Sequence, residues 1–102
     1  MPGNSGWVLR PAAEADLADI WLHGAASWGV EQAERYADGL FALFDLLVDF
    51  PEIAHERAEF SPPVRIHPTG AHLVIYRRTD EKIEIIRVLH GHQKLTAYLS
   101  DN

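Results

Sequence analysis

The residues with the most chemistry sit in or beside two adjacent apolar segments, His72–Arg77 and Ile83–His90. They are His72, Tyr76, Arg77, Arg87, His90 and, two positions on, His92. Imidazole changes charge near neutral pH, and guanidinium offers a planar donor fork suited to carboxylate or phosphate. His90-Gly91-His92 is the nearest approach to a metal signature. No carboxylate or cysteine stands at a supporting spacing, so neither a metal nor any other cofactor is expected. A histidine acting as general base needs burial beside a reacting group, which spacing alone does not supply. Arg57, Arg65, Arg77, Arg78, Lys82, Arg87 and Lys94 could converge on a phosphate-bearing substrate. Charges on strands also simply guard sheet edges against aggregation. There is no glycine-rich phosphate loop and no G-x-S-x-G nucleophile motif.

Several elements must position these residues. Trp7–Arg10 reads as a short strand that Pro11 ends, and Pro11 suits the first position of a helix. Ala13, Leu17, Ile20, Trp21, Gly24 and Ala25 recur at helical spacing, which predicts a helix over 11–26. Ser27-Trp28-Gly29 breaks the pattern. Val30, Ala33, Tyr36, Ala37, Leu40, Phe41, Phe44, Leu47 and Val48 form a second helical stripe that Phe50-Pro51 ends. The short connection predicts an antiparallel helical hairpin. Its aromatic residues Trp21, Tyr36, Phe41 and Phe44 are expected in the core.

Residues 51–63 read as irregular, because Pro62 and Pro63 exclude a central strand. A strand Val64–His67, a turn Pro68-Thr69-Gly70, and strands over 71–78 and 82–90 follow, the last two joined at Thr79-Asp80-Glu81. Leu95, Tyr98 and Leu99 suggest a short last helix. The fold class is α+β: an N-terminal strand and a helical hairpin against a small, mostly antiparallel sheet.

The chain has 102 residues, which favours one domain. Residues 1–6 read as a frayed tail without the features of a secretory signal. No apolar run approaches the roughly 20 residues that a membrane helix needs. The net charge of −6 argues against a general nucleic-acid binder. That charge is uneven: residues 1–56 carry ten acids against two bases, and residues 57–102 carry five against seven. An acidic helical half thus meets a mildly basic sheet half.

Strict alternation places Ile83, Ile85, Arg87 and Leu89 on one face of the last strand, with Glu84, Ile86, Val88 and His90 on the other. In the preceding strand Leu73, Ile75 and Arg77 oppose His72, Val74 and Tyr76. Both faces are apolar, and a helical hairpin covers only one. The second is expected to be open to a partner. Arg87 has two readings: a recognition fork, or a structural pair with an acid of the helical half such as Asp16 or Asp19.

Three stretches resemble the ParE branch of the RelE/ParE toxins of bacterial type II toxin–antitoxin systems. They are Leu9–Trp21, Gln32–Tyr36, and His72–Arg77 followed by Ile85–His92. The resemblance spans residues 8 to about 99, and it rests on the ordered set rather than on any one motif. It implies one toxin domain over residues 7–102, with a helical hairpin on a small twisted sheet. It also implies a cytoplasmic toxin neutralised in a hetero-oligomer by a ParD-like antitoxin. For the ParE branch it implies poisoning of DNA gyrase and a block of replication; with the acidic charge and no membrane-length apolar run, a protein-binding toxin without catalysis, direct DNA binding or membrane contact is expected. For the RelE branch it implies cutting of mRNA on the ribosome, for which Arg65, Arg87, His90 and His92 would be the reduced catalytic set. The acidic chain favours the gyrase reading. The antitoxin is then expected on Trp21, Leu73, Ile75, Arg77, Ile83 and Ile85, and the target on Arg87, His90, His92 and Lys94.

Overall fold

Proline and glycine punctuate the chain where the elements change. In the computed structural model, which describes residues 6–91, strand β1 (Trp7–Leu9) gives way at Pro11 to helix α1 (Pro11–Trp28). Gly29 alone separates α1 from α2 (Val30–Asp49). Its φ of 97° lies where a side chain is strained, so the reversal between the helices needs glycine there. Phe50 closes α2 by donating its N–H to the Leu46 carbonyl, and Pro51–Ile53 adds one 3₁₀ turn.

The sheet follows as β2 (Glu56–Arg57), β3 (Val64–Thr69), β4 (His72–Arg78) and β5 (Ile83–His90). Its order is β1-β5-β4-β3-β2, with β1 parallel to β5 and every other pair antiparallel. The expected α+β fold of a helical hairpin and a mostly antiparallel sheet is therefore present. The expected short last helix lies outside the described residues.

Three details depart from the expectation. The segment 51–63 holds a two-residue edge strand, β2. β3 runs through Pro68 to Thr69, so the reversal into β4 falls on Gly70-Ala71 instead of Pro68-Thr69-Gly70. β2 pairs only with Val64 and Arg65, leaving β3 an edge at Pro68, where proline is tolerated. The third departure is a bulge. Ile75 opposes Arg87, but Tyr76 opposes Ile85, so Ile86 is an extra residue on β5.

That one residue redistributes the faces. Ile83, Ile85 and Val88 join the main core with Val74 and Tyr76 from β4 and Leu40, Leu43, Phe44 and Leu47 from α2. Ile86 and Leu89 fall in a second cluster with Ile75, Val64 and Phe60. Strict alternation had put Leu89 with Ile83 and Ile85, and Val88 with Ile86; the bulge reverses both. The second face is also not the open surface expected, because its apolar residues are buried by the chain itself, with Phe60 packed among them.

Trp7 ties β1 to α2. Its indole N–H donates to Asp45 Oδ1 at 2.9 Å, and its ring stacks on Phe41 and meets Phe44 edge-on. Phe44 is fully buried, Tyr36 packs half-buried against the core, and Trp21 is half-buried. Phe41 keeps 38% of its surface exposed, so the aromatic stripe is less completely core than its spacing suggests.

Tyr76 is wholly buried, and its hydroxyl donates to the Pro51 carbonyl at 2.9 Å, fixing the exit of α2 on the sheet. Replacing Tyr76 with Phe should leave that carbonyl unpaired and lower stability by about 1–2 kcal/mol. Thermal unfolding tests this; an unchanged midpoint would show that the bond contributes nothing.

Candidate functional site

β1 reaches only as far as Ile85, so the outer edge of β5 beyond it would be left bare. Asp16 on α1 fills that gap. Its Oδ2 accepts from the Val88 backbone N–H at 2.9 Å and from Arg87 Nε at 2.7 Å, while Oδ1 accepts from Arg87 Nη2 at 2.9 Å. This is a bidentate carboxylate–guanidinium pair with an added backbone bond. The pairing of Arg87 with an acid of the helical half, one of its two readings, is therefore present. Asp19, the other acid considered, lines the same region.

Between the two helices and the ends of β4 and β5 lies a groove of about 470 Å³. Ile20, Trp28, Ala33 and Val88 give it apolar walls. Asp16, Asp19, His23, Gln32, Tyr36, His72, Arg87 and His90 bring polar groups to it. Trp28, beside the Gly29 reversal, is 72% exposed. Leu22 and Val30 expose apolar surface near the same end of the hairpin.

At the floor, Tyr36 from α2 meets the β3–β4 turn. Its hydroxyl lies 2.6 Å from His72 Nδ1 and accepts from the Ala71 N–H at 3.3 Å. Gly70 makes this approach possible. Its φ is +54°, and a Cβ there would stand 2.8 Å from the Tyr36 hydroxyl. Burial, partly opposed by the Ala71 N–H, raises the Tyr36 pKa. Burial first and the neighbouring His90 second lower the His72 pKa, against a smaller pull upward from Asp16. The hydroxyl and Nδ1 share one hydrogen bond, and the hydroxyl also reaches the Thr69 carbonyl at 3.4 Å. The His72 and His90 rings meet edge to face, with centroids 5.3 Å apart.

A second pocket of about 360 Å³ is lined by Glu56, Pro62, Pro63, Arg65, Arg77 and Arg78. It shares no lining residue with the groove. Arg65 donates to the Ala54 carbonyl through Nη1 at 2.6 Å. Arg77 and Arg10 each donate to Glu84 at 2.8 Å. Burial disfavours the Glu84 charge, but those two guanidiniums outweigh it and hold the carboxyl below the usual carboxylate range.

The structure thus separates residues that the sequence grouped. Arg65 lines one pocket while Arg87 and His90 line the other, so the reduced nucleolytic set is not assembled around one cavity. His92 and Lys94 lie outside the described residues. Of the residues expected to receive a partner, Ile75, Ile83 and Ile85 are buried in the two cores and offer no surface. Trp21, Leu73 and Arg77 are half-buried and keep some. Among the described residues, no three histidine or acidic side chains are placed to hold a metal ion.

Tyr36 and Trp28 line the groove, yet the sequence marked one as core and the other as part of a break. His72 stood out only as a polar residue in an apolar strand. Its contact with His90 depends on the bulge, which sets His72 directly opposite His90.

Comparison with known proteins agrees with this architecture. The sequence model of the family described as "ParE toxin of type II toxin-antitoxin system, parDE" matches residues 8–95. The chain is 38% identical over 91 residues to Toxin ParE1 of Caulobacter vibrioides, covering 89% of this chain and 94% of that protein. It is 39% identical over 88 residues to Toxin ParE1 of Mycobacterium tuberculosis, covering 85% and 90%. A solved structure titled "Chromosomal ParDE TA system from P. aeruginosa" superposes with a TM-score of 0.70 at 20% identity, over 86% of this chain and 97% of that one. With most of its length matched to these relatives, the chain belongs to the ParE toxin family of type II toxin–antitoxin systems.

Proposed function

We propose that this chain stops bacterial growth by inhibiting DNA gyrase through protein contact, without catalysis. In this reading it acts in the cytoplasm and is silenced by a ParD-like antitoxin in a hetero-oligomeric complex. The antitoxin is a segment with an apolar stripe that seats in the groove beside Trp28. The observation that carries the docking site is that groove, with its apolar walls and a tryptophan that the chain's own fold leaves 72% exposed. A large exposed aromatic at the edge of a concave surface is the usual anchor of a protein interface. Membership of the ParE family supports gyrase as the target. The electrostatics favour a non-nucleolytic toxin. The groove's guanidinium is neutralised by Asp16, and Asp19 adds a second carboxylate that repels a phosphodiester. The same charge balance disfavours direct DNA binding.

The free toxin should block supercoiling by purified gyrase and cause gyrase-linked DNA breaks in expressing cells. Unaffected supercoiling together with new codon-phased cuts in mRNA, read by primer extension, would move the assignment to the RelE type. Trp28→Asp should lower antitoxin affinity at least about tenfold while the fold is kept. Ile53→Asp, at an exposed residue outside the groove, should not. Equal losses in the two variants, measured by calorimetric titration, would displace the antitoxin from the groove.

His72 gives the toxin a pH signature. Its folded pKa lies below the ordinary 6.5, so as pH falls through that value the unfolded chain takes up the proton first. The stability tied to neutral His72 is present above about pH 6.5 and is lost on acidification. Asp16, Asp19, His23, Tyr36, Arg87 and His90 also line this groove, and Asp16 acts to raise the His72 value. Urea unfolding should show stability falling as the pH drops below about 6.5. His72→Gln should flatten that fall; an identical slope in the variant would assign it to other groups.

A further inference from the structure

We infer that the Arg65–Arg77–Arg78 pocket is a receptor for the carboxylates of an acidic peptide, separate from the apolar groove. Three guanidiniums line one concavity at the end of the sheet, against a single lining carboxylate, Glu56. Two of them are held in place. Arg65 is tied to the Ala54 carbonyl and Arg77 to Glu84, so both heads are oriented before any ligand arrives. Arg78 is exposed and belongs to no ion pair among the described residues. Among the described residues its fork is the uncommitted one of the three, while Asp49 and Glu52 share a neighbouring hollow with it; a carboxylate is the group that such a fork grips in two parallel bonds. Pro62 and Pro63 wall the pocket with side chains that lose little entropy when a ligand settles on them.

The choice of a peptide over a nucleic acid comes from charge. Glu56 stands opposite Arg65 across the β2–β3 pair and offsets part of the positive field. The chain as a whole carries −6. A nucleic-acid backbone gains its affinity from releasing many counterions, which three arginines supply poorly. One or two carboxylates on a flexible segment suit the pocket better. A partner seated in the groove could carry such a segment, but the pocket's side chains are distinct from those of the groove. Failure at one site therefore leaves the other reading standing.

The probe is a synthetic hexapeptide with two adjacent glutamates in neutral flanks, titrated into the full-length chain by NMR or calorimetry. Its glutamine counterpart and a single-stranded RNA hexamer serve as comparisons. The glutamate peptide should bind with an affinity that falls as salt rises, and it should shift the Arg78 region. Arg78→Glu should weaken it about tenfold, and Arg78→Lys, which keeps the charge but not the fork, by less. Trp28→Asp should leave this binding unchanged. Equal binding of the glutamine peptide, tighter binding of the RNA, or full binding by Arg78→Glu would each overturn the assignment.

Discussion

Asp16 holds the helical layer to the stretch of β5's outer edge that β1 does not reach. A β-strand edge presents unpaired backbone donors, and a buried donor without a partner costs about as much as a lost hydrogen bond or more. The carboxylate meets the Val88 N–H and spends its remaining lone pairs on Arg87. It is largely shielded, with its side chain 14% exposed against 30% for Arg87. Removing either member alone would strand a charge in a poorly solvated place, so the pair resists piecemeal change. The same bond sets how closely α1 lies against β5, and hence the width of the groove beside it.

The extra residue on β5 makes this arrangement possible. Without the bulge at Ile86, the register running from Arg78 opposite Ile83 would continue unbroken and set Leu89 opposite His72. With it, His90 takes that position, the imidazoles meet edge to face, and Val88 turns into the helix-side core. Bulges re-aim side chains at the cost of one ladder position. Here the shift brings a titratable pair to the groove floor and sends Ile86 and Leu89 to the opposite cluster. Tyr36 reaches the same floor because Gly70 has no Cβ to exclude it.

Much of the architecture was legible in the residues. The helical stripes, Pro11, the break around Gly29 and Pro51 marked both helices to within two residues at each end. β4 and β5 were legible too, because they are apolar runs bounded by polar turns, whereas the two-residue β2 was not. Arg87 with Asp16 was one of two readings that charge and spacing left open. The faces of β5 were not legible, because a bulge is a matter of pairing between strands and leaves no mark on one of them. Tyr36 was read as core because it sits in the helical stripe, and only the β3–β4 turn shows that its hydroxyl is engaged. The self-covered second face was hidden for a similar reason. Phe60 sits in a segment without periodicity, and nothing local shows that it folds onto Ile75 and Ile86.

The account rests on the Asp16–Arg87 pair being a structural anchor, which leaves partner recognition to the groove's other side chains and to the separate arginine pocket. A double-mutant cycle with Asp16→Ala, Arg87→Ala and the combination, followed by urea unfolding, measures that directly. The account predicts a coupling energy of about 1–3 kcal/mol between the two residues, as for groups sharing one buried network. A coupling within about 0.3 kcal/mol of zero would make the pair an incidental surface contact and contradict the account.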